Sequence, residues 1–205
     1  MSFSIYQLKP RFQQLLRPVL ASLARAGVTP NQVTLGAMAL SLAYGVALAL
    51  APDNTALWFG LPAFLLVRMA LNAIDGMLAT ATGNKTPLGA LLNEMCDQVS
   101  DAALYLPFAL AAGIAPALVV LVVVAALLAE FAGVLAQAIG APRGFEGPMG
   151  KSDRAFAFGL AALLVGAGTA PAWVNGLLLL VLLLSALTVF NRLRRALRPC
   201  VPATR

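Results

Sequence analysis

The sequence has no histidine, only two cysteines and few charged residues. Without histidine, acid–base or metal chemistry must come from Asp, Glu, Asn, Lys, Tyr or Cys. Cys96 and Cys200 lack the paired spacing of a zinc site and form no disulfide framework. Charged residues make up 11% of the 205 residues, against about 25% in soluble domains. This composition excludes an ordinary soluble enzyme, and its high hydrophobicity excludes intrinsic disorder.

Long apolar runs are what the sequence has instead: 60% of its residues are hydrophobic and its mean hydropathy is +0.87. Six runs approach the roughly 20 residues that cross a bilayer as a helix. They cover residues 33–51, 56–74, 87–114, 117–139, 155–170 and 172–190. We therefore predict an all-α, polytopic membrane protein with about six transmembrane helices, placed in the inner membrane of a bacterium.

The distribution of the basic residues predicts the orientation of these spans. Four basic residues precede the first span, one lies between the second and third, three lie between the fourth and fifth, and five follow the sixth. The three intervening loops contain none, and Arg68 lies inside the second span. Because Lys and Arg gather on the cytoplasmic side, both termini are expected there. The net charge of +6 is thus interpreted as membrane orientation, and no nucleic acid partner is expected.

The predicted organisation is a single membrane domain over residues 1–205. Residues 1–30 alternate basic and apolar side chains and are expected to lie at the membrane interface as an amphipathic segment. Pro10 and Pro18 are expected to interrupt any long helix there. The helical bundle then covers residues 31–192, and a basic cytoplasmic tail covers 193–205.

Five of the eight acidic residues lie in or beside apolar helices, where a carboxylate is costly and indicates a functional site. These residues are Asp75, Glu94, Asp97, Asp101 and Glu130. On the second helix Asn72, Asp75 and Ala79 share one face, and Gly76 leaves room for a ligand to approach the backbone.

The third helix carries a matching polar stripe. Gly89, Asn93, Asp97 and Asp101 follow at four-residue steps, and Glu94 joins the two aspartates from the side. The connecting loop is short, so the two helices should be antiparallel with their polar faces opposed. Clustered oxygen ligands without histidine favour Mg²⁺ or Mn²⁺ holding a phosphate. The alternative is a polar helix pair that lines a water-filled crevice.

This segment resembles the signature of the CDP-alcohol phosphotransferases, Asp-x₂-Asp-Gly-x₂-Ala-Arg-x₈-Gly-x₃-Asp-x₃-Asp. Residues 72–97 read NAIDGMLATATGNKTPLGALLNEMCD in the same spacing. The matching residues are Asp75, Gly76, Ala79, Gly89 and Asp97, and the departures are Asn72, Thr80 and Asn93. The six-span count and the TPNQVT segment that opens the first span are also similar to this family.

The resemblance implies a CDP-linked lipid or alcohol substrate, one or two divalent ions (Mg²⁺ or Mn²⁺) and a homodimer within the membrane lipids. It makes Asp75 a metal ligand, and it makes Asp97 both a ligand and the base that acts on the acceptor hydroxyl. Asn72 and Asn93 offer carbonyl oxygens to the metal in place of carboxylates. The nucleotide-binding residues that it implies are Asn72, Asp75, Gly76, Ala79, Thr86 and Gly89.

Only two of the four aspartates of the signature are present, so the charge of two bound metal ions would be poorly neutralised. Three outcomes stay open from the residues: Glu94 or Asp101 enters the site as a ligand, a single ion binds, or catalysis has been lost. Arg68 is expected either to snorkel or to pair with an acidic residue near the site.

A second group of polar residues lies in the inner loop, residues 141–156. Arg143, Lys151 and Arg154 stand among glycines there, and Glu130 in the preceding span could orient one of them. Glycines with basic residues suit a phosphate on the acceptor or on the lipid nucleotide. The alternative is ordinary positive-inside charge in a flexible loop.

Two remaining features are given structural roles. Asn31 and Thr34 are interpreted as helix-entry residues, and the basic run 191–199 as an anchor on anionic lipid. The predicted function is metal-dependent transfer of a phosphatidyl group from CDP-diacylglycerol to a small hydroxylated acceptor, with release of CMP. The acceptor is either phosphorylated or unphosphorylated. The alternatives are a CDP-aminoalcohol:diacylglycerol phosphotransferase and a catalytically degenerate member that binds nucleotide or lipid.

Overall fold

The computed structural model describes residues 8–145 and 147–198, without the side chains of residues 8–11, and these residues form seven α-helices. The helices are α1 (Leu8–Arg25), α2 (Pro30–Leu50), α3 (Thr55–Ala81), α4 (Pro87–Tyr105), α5 (Pro116–Ala138), α6 (Lys151–Gly166) and α7 (Pro171–Ala196). A short 3₁₀-helix, Leu106–Leu110, follows α4. The predicted all-α class is confirmed.

Four helices in the described part of the chain are long and apolar enough to cross a membrane, namely α2, α3, α5 and α7. The other two predicted spans correspond to α4 and α6. α4 contains three carboxylates, Glu94, Asp97 and Asp101, and α6 has only 16 residues. The polytopic membrane fold is thus confirmed, while membrane crossing by α4 and α6 stays a prediction.

Two Thr-Pro pairs fix where α2 and α4 begin. The backbone N–H of Thr29 donates to Gln32 Oε1 (2.9 Å), and the N–H of Gln32 donates to Thr29 Oγ1 (3.3 Å). This reciprocal capping box precedes a proline in the first helical position. Thr86 caps α4 with a single hydrogen bond, because its Oγ1 accepts the N–H of Gly89 at 3.0 Å. The loop between α3 and α4 is therefore limited to residues 82–86.

The chain divides into two compact units, of which the first comprises residues 8–44 and Ala63–Leu104. Its hydrophobic core contains Val33, Ile74 and Leu78, and α1 packs one face against this core. The α1 residues that do so follow helical spacing: Leu16, Leu20 and Leu23. Leu15 and Val19 are exposed, so α1 is amphipathic as predicted. Its position at the membrane interface stays a prediction.

The second unit comprises Gly45–Pro62 and residues 105–198. Its core is aromatic: the rings of Tyr105 and Phe158 stack at 3.8 Å, and Phe108 meets the edges of Phe158 and Trp58. Asn175 closes the turn before α5, because its Oδ1 accepts the N–H of Ala115 at 2.9 Å. The aromatic contacts join the start of α3, the end of α4 and α6, and Asn175 joins α7 to the turn before α5.

One sequence prediction at the start of the chain needs correction. Pro18 does not interrupt the first segment, because α1 continues through it to Arg25. Gln14, whose carbonyl loses its N–H partner there, is exposed. At the other end α7 continues to Ala196, and the cytoplasmic tail over residues 193–205 stays a prediction. Residues 199–205 of that tail lie outside the described residues. The prediction of a single domain stays a prediction.

Candidate active site

Hydrogen bonds between amides and carboxylates connect α3 with α4 at the four signature positions. Asn72 Nδ2 donates to Asp97 Oδ1 at 2.8 Å, and Asn93 Nδ2 donates to Asp75 Oδ2 at 3.1 Å. Each helix thus contributes one amide and one carboxylate, and each amide faces the carboxylate of the other helix. The prediction that the two polar faces oppose each other is confirmed.

Thr34 on α2 completes the surroundings of Asp75. Its Oγ1 lies 2.8 Å from Asp75 Oδ2 and 3.2 Å from the carbonyl of Pro30, and both Thr34 and Asp75 are buried. A hydroxyl that donates to a carboxylate fixes the rotamer of that carboxylate. The interpretation of Thr34 as a helix-entry residue alone is therefore incomplete, because the residue also positions Asp75.

Arg68 pairs with two carboxylates of α4. Its side chain is only 2% exposed, and its Nη1 lies 2.5 Å from Asp101 Oδ1. Its Nη2 lies 3.6 Å from Asp97 Oδ1 and donates to the Asp97 carbonyl at 3.0 Å. Of the two expected roles, the pairing of Arg68 with acidic residues near the site is confirmed. The side chain of Asp97 is 18% exposed and that of Asp101 only 4%, so Asp97 is the carboxylate that a substrate reaches more easily.

The glycines and small residues predicted to contact the nucleotide differ in exposure. Gly76 is exposed, and a Cβ atom added there would meet no atom within 4 Å among the described residues. Packing therefore does not require glycine at position 76. At Gly89 an added Cβ would lie 3.0 Å from Asn31 Oδ1 and 3.1 Å from Thr86 Oγ1. Ala79 is half-buried and Thr86 is exposed.

Two positions bear on the departures from the signature. Thr80 is exposed and its Oγ1 donates to the carbonyl of Gly76 at 2.9 Å, within its own helix. It has neither the length nor the charge of the arginine that the signature places there. Glu94 is half-buried beside Asn93 on α4, and its role as a ligand stays a prediction.

The donor groups fit a hard divalent cation, because two carboxylates and two amide oxygens are ligands that Mg²⁺ and Mn²⁺ accept. The carboxylates are Asp75 and Asp97, and the amides are Asn72 and Asn93. No group of three or more Asp, Glu, Cys or His side chains that could hold a metal occurs within residues 8–145 and 147–198. Water or substrate oxygens can supply further ligands, and the predicted roles of Glu94 and Asp101 as ligands stay predictions.

The second polar group is centred on Glu130 of α5. Its Oε1 lies 2.9 Å from Arg154 Nη2, and its Oε2 lies 3.3 Å from Arg192 Nη1 and 3.7 Å from Arg143 Nη2. We call Glu130 and these three residues the arginine cluster. Arg154 is 0% exposed and Arg192 is 3% exposed. Among the described residues, Glu130 thus contacts three guanidinium groups, and these four side chains together carry a positive excess.

The inner loop is held against α5 and α7. The N–H of Gly144 donates to the carbonyl of Gly133 at 3.1 Å, and the N–H of Met149 donates to Thr188 Oγ1 at 3.0 Å. Close approach requires glycine at position 133, because an added Cβ would lie 2.6 Å from the Gly144 carbonyl oxygen. These contacts attach Gly144 and Met149 to the two helices, while the choice between a phosphate site and ordinary positive-inside charge stays open.

The surroundings of Arg143 disfavour its charged form, and further arginines line a pocket beside the loop. Burial, with the positive charge of Arg192 as the smaller cause, lowers the pKa of the Arg143 guanidinium. Beside the loop lies a pocket lined by Arg192, Arg195 and Arg198 together with Gly144. A bound anion would offset this positive charge.

Sequence reasoning identified Arg143 and Arg154 and gave Glu130 its orienting role, but it assigned Arg192 to a lipid anchor. The buried contact of Arg192 with Glu130 corrects that assignment. Lys151, the third predicted residue, is half-buried at the start of α6, and its contact with an acceptor stays a prediction. The signal for Arg192 was weak, because four other basic residues surround it in residues 191–205.

Comparison with known proteins identifies the family of this chain. A sequence profile of the family described as CDP-alcohol phosphatidyltransferase matches residues 27–190. The chain is 47% identical to inner membrane protein YnbA of Escherichia coli over 197 residues, which cover 95% of this chain and 96% of that protein. It is 35% identical to a phosphatidylinositol phosphate synthase of Mycobacteroides abscessus over 94 residues, which cover 46% of this chain and 41% of that protein.

Crystal structures of the Mycobacterium tuberculosis phosphatidylinositol phosphate synthase PgsA1 share the fold. One, with CDP-DAG bound, superposes with a TM-score of 0.79 at 21% identity and covers 94% of this chain and 98% of PgsA1. Another, in complex with manganese and citrate, gives a TM-score of 0.77 at 22% identity and covers 92% and 91%. The manganese in that protein agrees with the predicted cofactor, Mg²⁺ or Mn²⁺. The profile match and the similarity to YnbA establish that the chain belongs to the CDP-alcohol phosphatidyltransferase family of membrane transferases.

Proposed function

We propose that this protein transfers the phosphatidyl group of CDP-diacylglycerol to a small phosphorylated alcohol and releases CMP, with Mg²⁺ or Mn²⁺ as cofactor. The observation that carries the transfer is the opposed arrangement of Asn72, Asp75, Asn93 and Asp97 at the signature positions. CDP-DAG bound to PgsA1, which has the same fold, supports the choice of donor.

Asp97 acts as the base in this reaction. The acceptor hydroxyl attacks the phosphorus of the phosphatidyl group, its proton passes to the Asp97 carboxylate, and the phosphorus–oxygen bond to CMP breaks. The divalent cation, when bound, neutralises charge on the pyrophosphate and on the leaving CMP. Asn72 and Arg68 hold the Asp97 carboxylate from one side, and the 18% exposure of its side chain leaves the other side accessible.

Asp75 is the second carboxylate ligand, and Thr34 and Asn93 orient it. The open space beside Gly76 accommodates the nucleotide, which the proposal also places against Ala79, Thr86 and Gly89. Glu94 and Asp101 remain the two candidates for additional ligands.

The arginine cluster, together with Lys151, binds the phosphate of the acceptor. Arginine forms bidentate hydrogen bonds with phosphate, and the arginines exceed the single carboxylate of Glu130 in charge. The names of the partly aligned relatives, phosphatidylinositol phosphate synthases, agree with a product that carries a second phosphate. Citrate, another multiply charged anion, accompanies the manganese in PgsA1.

The proposal places the enzyme in a bacterial inner membrane as a homodimer with its termini and active site on the cytoplasmic side. The basic residues support this orientation, because they gather at one set of helix ends. The inner membrane assignment of the full-length relative YnbA supports the location.

The deciding experiment measures CMP release from CDP-diacylglycerol by purified protein in detergent with Mg²⁺ or Mn²⁺. The acceptors are supplied as matched pairs, glycerol with glycerol 3-phosphate and inositol with inositol 1-phosphate. We expect metal-dependent release with one of the phosphorylated members. Asp97→Asn should abolish it, whereas Asp53→Asn, the same change at an exposed carboxylate, should not.

The outcomes separate the competing functions. Equal rates with the phosphorylated and unphosphorylated members would refute the acceptor class but not the transfer. Release only from CDP-choline or CDP-ethanolamine with diacylglycerol would favour the aminoalcohol phosphotransferase. Nucleotide binding without release from any donor would favour the degenerate member, a candidate supported by Asn72, Thr80 and Asn93. Activity retained in Asp97→Asn would refute Asp97 as the base.

A further inference from the structure

The structure assigns to this chain a single resident divalent ion, with the guanidinium of Arg68 as a built-in cation at the Asp97–Asp101 end of the site. This inference rests on the proposed metal-dependent function and specifies how its site is charged. The juxtaposition that carries it is a buried arginine between two carboxylates one helical turn apart on α4.

Arg68 occupies the position from which a second cation would contact α4. Asp97 and Asp101 are four residues apart, so their side chains lie on one helix face and would form a pair of acidic ligands. Arg68 Nη1 lies 2.5 Å from Asp101 Oδ1, and Nη2 lies 3.6 Å from Asp97 Oδ1. A metal ion at this pair would have to displace a guanidinium whose side chain is only 2% exposed.

The two asparagines reduce the negative charge around Asp75 and Asp97. Asn72 and Asn93 stand where the family signature has aspartates, and in the structure their amide nitrogens donate to Asp97 and Asp75. An N–H group repels a metal ion, so each amide must turn its oxygen inward to act as a ligand. The site therefore offers two carboxylates, Asp75 and Asp97, and neutral oxygens to an entering ion.

The charges of the network balance one divalent ion. Asp75, Asp97 and Asp101 contribute three negative charges and Arg68 contributes one positive charge. These four side chains together carry a net charge of about −2, which one ion of charge +2 neutralises. A second ion in the protein without nucleotide would leave the buried site with a positive excess.

The test counts Mn²⁺ ions in the full-length protein in detergent without nucleotide. Free Mn²⁺ gives a six-line electron paramagnetic resonance signal at room temperature, and its loss on addition of protein gives the number of ions bound. We expect one Mn²⁺ per chain. The frozen sample should show an isolated ion, without the coupling between two neighbouring Mn²⁺ ions.

Arg68→Met tests the arginine directly. We expect this variant to bind a second Mn²⁺, because Asp97 and Asp101 lose the positive charge of the Arg68 guanidinium. Arg68→Lys, which keeps the positive charge, should stay at one ion. If Arg68→Met does not yield folded protein, the ion count and spin coupling of the unaltered protein decide the matter.

Two Mn²⁺ ions per chain in the unaltered protein would overturn the inference and leave the proposed transfer intact. Folded Arg68→Met that still binds one ion would also overturn the role of Arg68. No Mn²⁺ binding at any concentration that supports CMP release would contradict the metal site in the proposed function itself.

Discussion

Replacing Glu130 by glutamine should destabilise the protein and make its stability sensitive to phosphate. Glu130 is buried and contacts Arg143, Arg154 and Arg192, the closest at 2.9 Å. Removal of one partner from a buried ion pair costs about 3–5 kcal/mol. Glutamine keeps an acceptor oxygen for Arg154, so we expect a loss of about 3 kcal/mol, at the lower end of that range. For a chain of this size this lowers Tm by about 6–12 °C.

Phosphate should restore most of this loss. An anion at 100 times its Kd stabilises the folded protein by about 2.7 kcal/mol, and Glu130→Gln removes the carboxylate charge that three guanidinium groups contact. The assay is thermal unfolding of the purified protein in detergent, with and without phosphate, beside the unaltered protein and Asp53→Asn. Asp53 is exposed, so its variant controls for the general effect of phosphate as a salt. An unchanged Tm in Glu130→Gln, or equal stabilisation of all three proteins by phosphate, would refute the reasoning.

Three further substitutions test individual contacts. Gly76→Ala should not lower Tm, because an added Cβ meets no described atom within 4 Å and alanine favours a helix over glycine. It should raise the Kd for CMP, and an unchanged Kd would contradict a ligand beside Gly76. Thr34→Val removes the hydroxyl 2.8 Å from Asp75 and should weaken Mn²⁺ binding by about 10- to 100-fold, as measured by titration. Gly133→Ala would place a Cβ 2.6 Å from the Gly144 carbonyl oxygen and so displace the loop. It should raise KM for the phosphorylated acceptor and leave the Kd for CMP the same. Equal KM values in the variant and the unaltered protein would argue against the loop as part of the acceptor site.

Local periodicity was sufficient to predict the contact between α3 and α4. The positions of Asn72 and Asp75, and of Asn93 and Asp97, follow from the helical repeat, and the loop over residues 82–86 is too short for any but an antiparallel pair. The hydrogen bonds between these residues are the direct result.

Contacts between helices distant in the chain were not predictable in this way. Thr34 contacts Asp75 across 41 residues, and which face of α2 meets α3 depends on packing that one sequence does not encode locally. Arg192 contacts the Ala129 carbonyl across 63 residues, and its sequence surroundings are those of an ordinary basic terminus. Pro18 was misjudged for a related reason, because the cost of a proline depends on whether the freed carbonyl faces outward.

The attachment of the inner loop at Gly133 and Thr188 also bears on how an anion is recognised. Gly144 and Met149 of the loop are hydrogen-bonded to the two helices in the protein without ligand. Ligand binding therefore does not have to position these residues, and the entropy cost of doing so does not reduce the binding free energy. The arginine cluster is thus preorganised, and selectivity must come from how well the shape and charge of the anion match fixed guanidinium positions. An anion whose shape or charge does not match these fixed positions would bind the same arginines more weakly.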